Sequence, residues 1–96
     1  MKSQVSRHLS SLSDEIVRTR ALLRRLRDRL EVQQAAVEEN RLRMLIAETP
    51  LADRDLHVAA EGFLLLSQEV RRVEAVLDSL TSEEARLSRR LATAGA

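Results

Sequence analysis

The sequence predicts an all-α protein: a long antiparallel two-helix hairpin, a coiled coil that associates further into a dimer or a four-helix assembly. The first observation behind this prediction is composition, since the 96 residues include two glycines, one proline, one aromatic residue and 32% charged residues. Such a composition is typical of long helices and coiled coils, whereas β-sheets are rich in aromatic and β-branched residues. The second observation is a heptad repeat in both halves of the chain.

In the first half, apolar residues recur at alternating steps of four and three. Nine of the twelve positions visited are apolar, and the exceptions are Thr19, Gln33 and Asn40. These positions, the first seam, are Val5, Leu9, Leu12, Ile16, Thr19, Leu23, Leu26, Leu30, Gln33, Val37, Asn40 and Met44. A spacing of 3.5 residues is that of a helix in a left-handed helix pair. It predicts helix one over about residues 3–48.

The second half carries the same repeat, with Glu84 as its only polar member. These positions, the second seam, are Leu56, Ala59, Phe63, Leu66, Val70, Val73, Leu77, Leu80, Glu84, Leu87, Leu91 and Ala94. They predict helix two over about residues 53–92. We interpret residues 1–96 as a single helical-hairpin domain.

The only proline, Pro50, separates the two repeats. Proline lacks a backbone N–H and disfavours helical geometry in the residue before it, so we expect helix one to end near residue 48 and a turn over 49–53. Two caps for helix two are chemically reasonable. Thr49 caps it with Pro50 as the first helical residue, or Asp53 caps it after an irregular turn.

The register of the hairpin states which residues of the two seams face each other. Because the helices are antiparallel, the numbers of two facing residues always add to the same sum. We expect a sum of 103, which sets Leu30 opposite Val73 and Thr19 opposite Glu84. Two polar seam positions then share one layer, and a buried polar group is least unfavourable beside a partner. Such layers commonly fix the register of coiled coils.

An arginine run, residues 17–30, holds six arginines and one aspartate. In the expected register, residues 18–29 of this run face residues 74–85, which contain four acids and no base. We therefore interpret the arginines mainly as a charge-matched flank of the seam. Arg18, Arg24 and Arg25 point furthest outward, and they are our candidates for contacts with an acidic partner or with phosphates.

Several large apolar side chains fall outside both seams, near the turn. We call them the turn-proximal surface: Leu42, Leu45, Ile46, Leu51, Val58, Leu64 and Leu65. A smaller set, Val17, Leu22, Val32 and Val76, extends towards the middle of the helices. A solvated outer face does not favour such a cluster, so we expect this surface to bind a protein partner or a second copy of the chain.

Motifs that carry chemistry are missing from the sequence. The chain has no cysteine, its glycines at 62 and 95 form no phosphate loop, and His8 and His57 lie far apart along the chain. We therefore predict no enzyme activity, no cofactor and no metal site. No stretch is apolar enough to cross a bilayer, so we expect no membrane partner and a cytoplasmic location.

The predicted function is non-catalytic protein binding, as a coiled-coil adaptor, a complex subunit or a small chaperone. Nucleic-acid binding through residues 18–29 is the alternative, and it is less favoured because the net charge is +1 and no aromatic residue interleaves the arginines. The hairpin is also similar in outline to the co-chaperones and stalk proteins of type III secretion systems. That resemblance implies a role as a secretion chaperone or stalk component.

Overall fold

The computed structural model describes residues 2–95, which form two helices and no strand. Helix α1 spans Lys2–Ala47 and helix α2 spans Pro50–Gly95. The chain folds as an all-α, antiparallel two-helix hairpin, which confirms the predicted fold class. Helix α2 begins earlier than the predicted 53–92 because the turn is shorter than expected, and it also ends later.

The turn consists of Glu48 and Thr49 alone. Glu48 is in the left-handed region, with φ of 49°. Its N–H donates to the carbonyl of Met44 at 3.0 Å, which is the αL mode of ending a helix. Thr49 then caps α2, because the N–H of Ala52 donates to Thr49 Oγ1 at 3.1 Å.

Pro50 is the first residue of α2, where its missing N–H leaves no helical hydrogen bond unmade. The Thr49 cap is thus confirmed, and both the predicted turn over 49–53 and the alternative cap at Asp53 are wrong. The heptad repeat also continues one step nearer the turn than the sequence suggested. Ala52, four residues before Leu56, is buried.

The contacts of the chain group into two units. Unit 2, Arg24–Arg71, contains the turn, and unit 1 contains residues 2–23 and 72–95. Each unit is an antiparallel pair of helical segments with its own buried seam. The buried side chains of unit 2 are Leu26, Val37, Ala52, Ala59 and Val70, and those of unit 1 are Leu12, Ile16, Leu23, Val73 and Leu87.

Three polar positions of the first seam are satisfied by backbone carbonyls. The hydroxyl of Thr19 donates to the Glu15 carbonyl at 2.8 Å, within its own helix. Asn40 Nδ2 likewise donates within α1, to the carbonyl of Ala36 at 2.8 Å. Gln33 differs from both, because its Nε2 crosses to α2.

Gln33 Nε2 donates to the carbonyl of Ala59 at 2.9 Å. One turn along α2, a Cβ built on Gly62 would lie 3.0 Å from the same nitrogen. Glycine at position 62 therefore provides the space that the Gln33 amide occupies. In unit 2, residue 33 is consequently level with residues 59 to 62.

This contact shows that the expected register is wrong. A sum of 103 would set Gln33 opposite Val70, which is eleven residues, or about 16 Å, from Ala59 along α2. The numbers 33 and 59 add to 92, and 33 and 62 add to 95, so the observed register is shifted by about one heptad. A two-residue turn that joins Ala47 to Pro50 requires this shift. Thr19 has no need of Glu84, because its hydroxyl is satisfied inside α1.

Candidate protein-binding surface

The turn-proximal surface is solvent-exposed in the structure, with exposed fractions from 53% at Leu64 to 85% at Ile46. All seven of its residues belong to unit 2. By contrast, every seam position of unit 2 is buried or half-buried. Unit 2 thus buries its seam between its two helical segments and leaves a second set of large apolar side chains exposed. Exposed apolar clusters of this kind mark interaction surfaces.

On α2, three of these residues recur at seven-residue intervals: Leu51, Val58 and Leu65. Seven residues return a straight α-helix to within about 20° of its starting direction, so the three side chains share one line along the helix. We call this line the α2 stripe. Its members are 66%, 64% and 60% exposed. The stripe is a second heptad repeat on a helix whose first repeat already packs against α1.

On α1, the surface comprises Leu42, Leu45 and Ile46, in the last two turns before the helix ends at Ala47. In sequence, these three residues come shortly before Leu51, the first residue of the α2 stripe. Ile46 and Leu51 are separated only by the helix ends and the two-residue turn. The apolar surface therefore uses both helices of unit 2.

Polar groups border the stripe. Val58 lines a shallow open groove together with Asn40, Arg43 and Asp55. On the opposite edge of the stripe lie Arg54 and Glu61, both exposed. In the part of the chain that the structure describes, neither forms a hydrogen bond or an ion pair through its side chain.

The smaller apolar set is exposed as well: Val17, Leu22, Val32 and Val76 have exposed fractions of 64%, 37%, 72% and 41%. Val32, in unit 2, lines a shallow open groove with Asp28, Arg29, Gln33 and Leu66. Within residues 2–95, these grooves are open to solvent and none encloses a chamber of the kind that small-molecule sites use.

The three candidate arginines are exposed, Arg18 in unit 1 and Arg24 and Arg25 in unit 2. None of them has an ion pair with a carboxylate among the described residues. The expected charge match with residues 74–85 is wrong for Arg24 and Arg25. In unit 2 the numbers of facing residues add to 92 to 95, which sets residues 24–29 level with residues between 63 and 71. Arg24 and Arg25 therefore present exposed charge, with Asp28 one turn away on the same helix.

The two histidines lie in separate surroundings. His57 Nδ1 lies 2.9 Å from the carbonyl oxygen of Asp53 and 3.6 Å from its Oδ1. In unit 1, His8 lines an open groove with Glu83 and Arg86. The pKa of Glu83 is lowered, chiefly because Arg86 donates a hydrogen bond to its carboxylate and further because the Arg86 guanidinium is positively charged.

Neither histidine belongs to a metal-binding cluster. Among residues 2–95, no three histidine, cysteine or acidic side chains lie close enough together to hold a metal ion. Nor is either described helix long and apolar enough to cross a membrane.

Comparison with protein-family models, with curated proteins and with solved structures finds no match to this chain. The site must therefore be interpreted from its own residues. Sequence reasoning identified every large apolar side chain that the structure leaves exposed, but it missed Arg54, Glu61 and the contact of Gln33 with α2. The signal for that contact was present, since a glutamine interrupts the first seam and a glycine lies inside helix two.

Proposed function

We propose that this protein is a non-catalytic protein-binding module that engages its partner through the turn-proximal surface of unit 2. The observation that carries the proposal is the contrast within unit 2 between a covered seam and seven uncovered large apolar side chains. Each such side chain contributes about 1.5–3 kcal/mol when it is fully removed from water, so a protein that covers several of them binds with useful affinity. Such a module acts as an adaptor, a complex subunit or a small chaperone in the cytoplasm, and the lack of cysteine suits that reducing compartment.

The test replaces Leu64 and Leu65 together with glutamate in the full chain. Both residues are exposed and lie outside the seam, so circular dichroism should show unchanged helicity. Association, with itself or with a protein from native lysate, should be weakened, as measured by sedimentation and by affinity capture with mass spectrometry. Val17→Glu is the matched control, since Val17 is also exposed but lies outside the turn-proximal surface. Equal association of the double variant and the wild type would remove this surface as the binding site.

Contact with nucleic acid is a second candidate function, favoured by the exposed side chains of Arg24 and Arg25, which form no ion pair within the described residues. Arginine side chains on a helix bind phosphates, and such binding weakens steeply with added salt. The candidate predicts a salt-dependent mobility shift with DNA or RNA that is lost when Arg18, Arg24 and Arg25 are replaced by glutamine. An unchanged shift in that triple variant, or no shift with the wild type at low salt, would eliminate it.

A further inference from the structure

From the α2 stripe we infer that the partner of the turn-proximal surface is a second copy of this chain, docked antiparallel along α2 with a two-fold axis at Val58. This inference rests on the proposed function and names the occupant of the same surface. It is carried by the arrangement of five exposed residues of one helix in unit 2: Leu51, Arg54, Val58, Glu61 and Leu65.

The apolar members of this set are symmetric about Val58, with Leu51 seven residues before it and Leu65 seven residues after it. When two copies of α2 pack antiparallel with their Val58 residues in contact, Leu51 of one copy meets Leu65 of the other. Because the axis repeats every contact, this layer forms twice. A two-fold interface requires a self-complementary patch of this kind.

The two charged members of the set also flank Val58 at nearly equal distances, and their charges are opposite. Arg54 lies four residues before Val58 and Glu61 three residues after it, both on the same edge of the stripe. In the antiparallel pair, that edge of one helix faces the same edge of the other. Arg54 of one copy is then level with Glu61 of the second copy to within about 1.5 Å along the axis. Two equivalent ion pairs result.

Within the described residues, Arg54 and Glu61 are exposed and have no partner in their own chain. They are therefore available for pairing between copies. An unlike partner would not require opposite charges at the two positions that flank this valine.

Charge reversal tests the pairing directly. In the homodimer of Arg54→Glu, both ion pairs become contacts between two glutamates, and in that of Glu61→Arg they become contacts between two arginines. We expect each single variant to raise the dimer dissociation constant roughly tenfold or more, measured by sedimentation equilibrium of the full chain. The double variant R54E/E61R should dimerise like the wild type.

A mixture of the two single variants provides the sharper readout. In the mixed dimer both contacts join a glutamate to an arginine, so an equimolar mixture should regain the wild-type mass although each variant alone does not. Arg89→Glu is the matched control, because Arg89 occupies the same heptad position of α2 five heptads further along. It should leave dimerisation unchanged.

A cysteine at the axis provides an independent measurement, since the chain has no native cysteine. Val58→Cys should form a disulfide between two copies when copper phenanthroline is the oxidant, because residue 58 faces itself across the axis. Val76→Cys, also exposed and on α2, should cross-link much more slowly.

A wild-type chain that sediments as a monomer up to its solubility limit overturns this inference. So does a dimer that is indifferent to both charge reversals. Either result leaves the proposed function standing if a protein captured from lysate is still lost from the variant L64E/L65E. If that variant retains every association of the wild type, the proposed function itself falls.

Discussion

The side-chain amide of Gln33 donates a hydrogen bond across the hairpin to the backbone carbonyl of Ala59, at 2.9 Å. That carbonyl lies inside α2, where it also takes part in the backbone hydrogen bonding of the helix. Gly62, one turn further along, gives the amide room. The hydrogen bond forms only when residue 33 of α1 is level with this part of α2, so it favours one register among those that a seven-residue repeat allows.

Replacing Gln33 with alanine removes this bond. We expect the free energy of unfolding to fall by about 1 kcal/mol, the usual net contribution of one hydrogen bond. Urea denaturation followed by circular dichroism measures the change. Gln34→Ala is the control, because Gln34 is exposed and its loss should change stability by less than about 0.5 kcal/mol. Equal effects of the two substitutions would mean that the Gln33 bond contributes nothing.

Replacing Gly62 with alanine tests the space beside that amide. Alanine is favoured over glycine inside a helix by about 1 kcal/mol, but its Cβ would lie 3.0 Å from Gln33 Nε2 and displace the amide. In the wild-type background we expect Gly62→Ala to raise the free energy of unfolding by less than this amount. In a Gln33→Ala background we expect the full increase of about 1 kcal/mol. A double-mutant cycle in urea measures this coupling. Identical gains in both backgrounds would show that the two residues do not interact.

Thr49 is predicted to stabilise the beginning of α2 through its hydroxyl. Thr49→Ala should lower the free energy of unfolding by about 1 kcal/mol, because the N–H of Ala52 loses its acceptor, whereas Thr49→Ser should be nearly neutral. Thr93→Ala is the control, since the Thr93 hydroxyl only donates to the carbonyl of Arg89 within the helix. Thermal unfolding ranks the variants, and a tolerated Thr49→Ala would argue against the cap.

Glu48 adopts a backbone conformation that costs most side chains about 1 kcal/mol. We therefore expect Glu48→Gly to be more stable than Glu48→Ala by roughly that amount. At Ala35, inside α1 and exposed, glycine should instead be less stable than the native alanine by about 1 kcal/mol. The two sites should thus rank glycine and alanine in opposite orders. The same order at both sites would mean that the turn does not require a left-handed residue.

The hydrogen bond from Arg86 predicts a pH dependence at Glu83. Because this bond lowers the pKa of the Glu83 carboxyl, its contribution to stability is fully present above the ordinary glutamate pKa and is lost as the pH falls through the lowered pKa. Arg86→Gln should raise the pKa of Glu83 back towards its usual range, as a carboxyl NMR titration would show. Arg89→Gln should leave it in place, and the same pKa in all three proteins would contradict the assignment.

The heptad repeat was sufficient to predict the fold and the exposed surface. Side chains at seam positions are buried or half-buried in both units apart from Ala94, and the large apolar side chains outside the repeat, such as Ile46 and Val32, are exposed. Periodicity decides this because it fixes which face of each helix packs. The binding role of the exposed residues and the absence of catalysis stay predictions, since no contact in the structure bears on them.

Register and turn were harder to predict. A repeat of seven residues packs equally well when one helix slips by one heptad, so burial alone does not distinguish a sum of 103 from one of 96. The choice depended on pairing Thr19 with Glu84, but Thr19 satisfies its hydroxyl on its own helix. The length of the turn decides the register. A two-residue turn requires Glu48 to adopt a left-handed conformation, which nothing in the sequence indicates.

The two-residue turn also sets an order in which the chain acquires its structure. Contacts across unit 2 join residues no more than 47 positions apart, whereas those between the two segments of unit 1 close loops of at least 49 residues. Since the entropic cost of loop closure rises with loop length, we expect unit 2 to form first and unit 1 to follow. In that order the apolar surface near the turn is complete before unit 1 forms, so a protein that binds this surface would meet it on a half-folded chain.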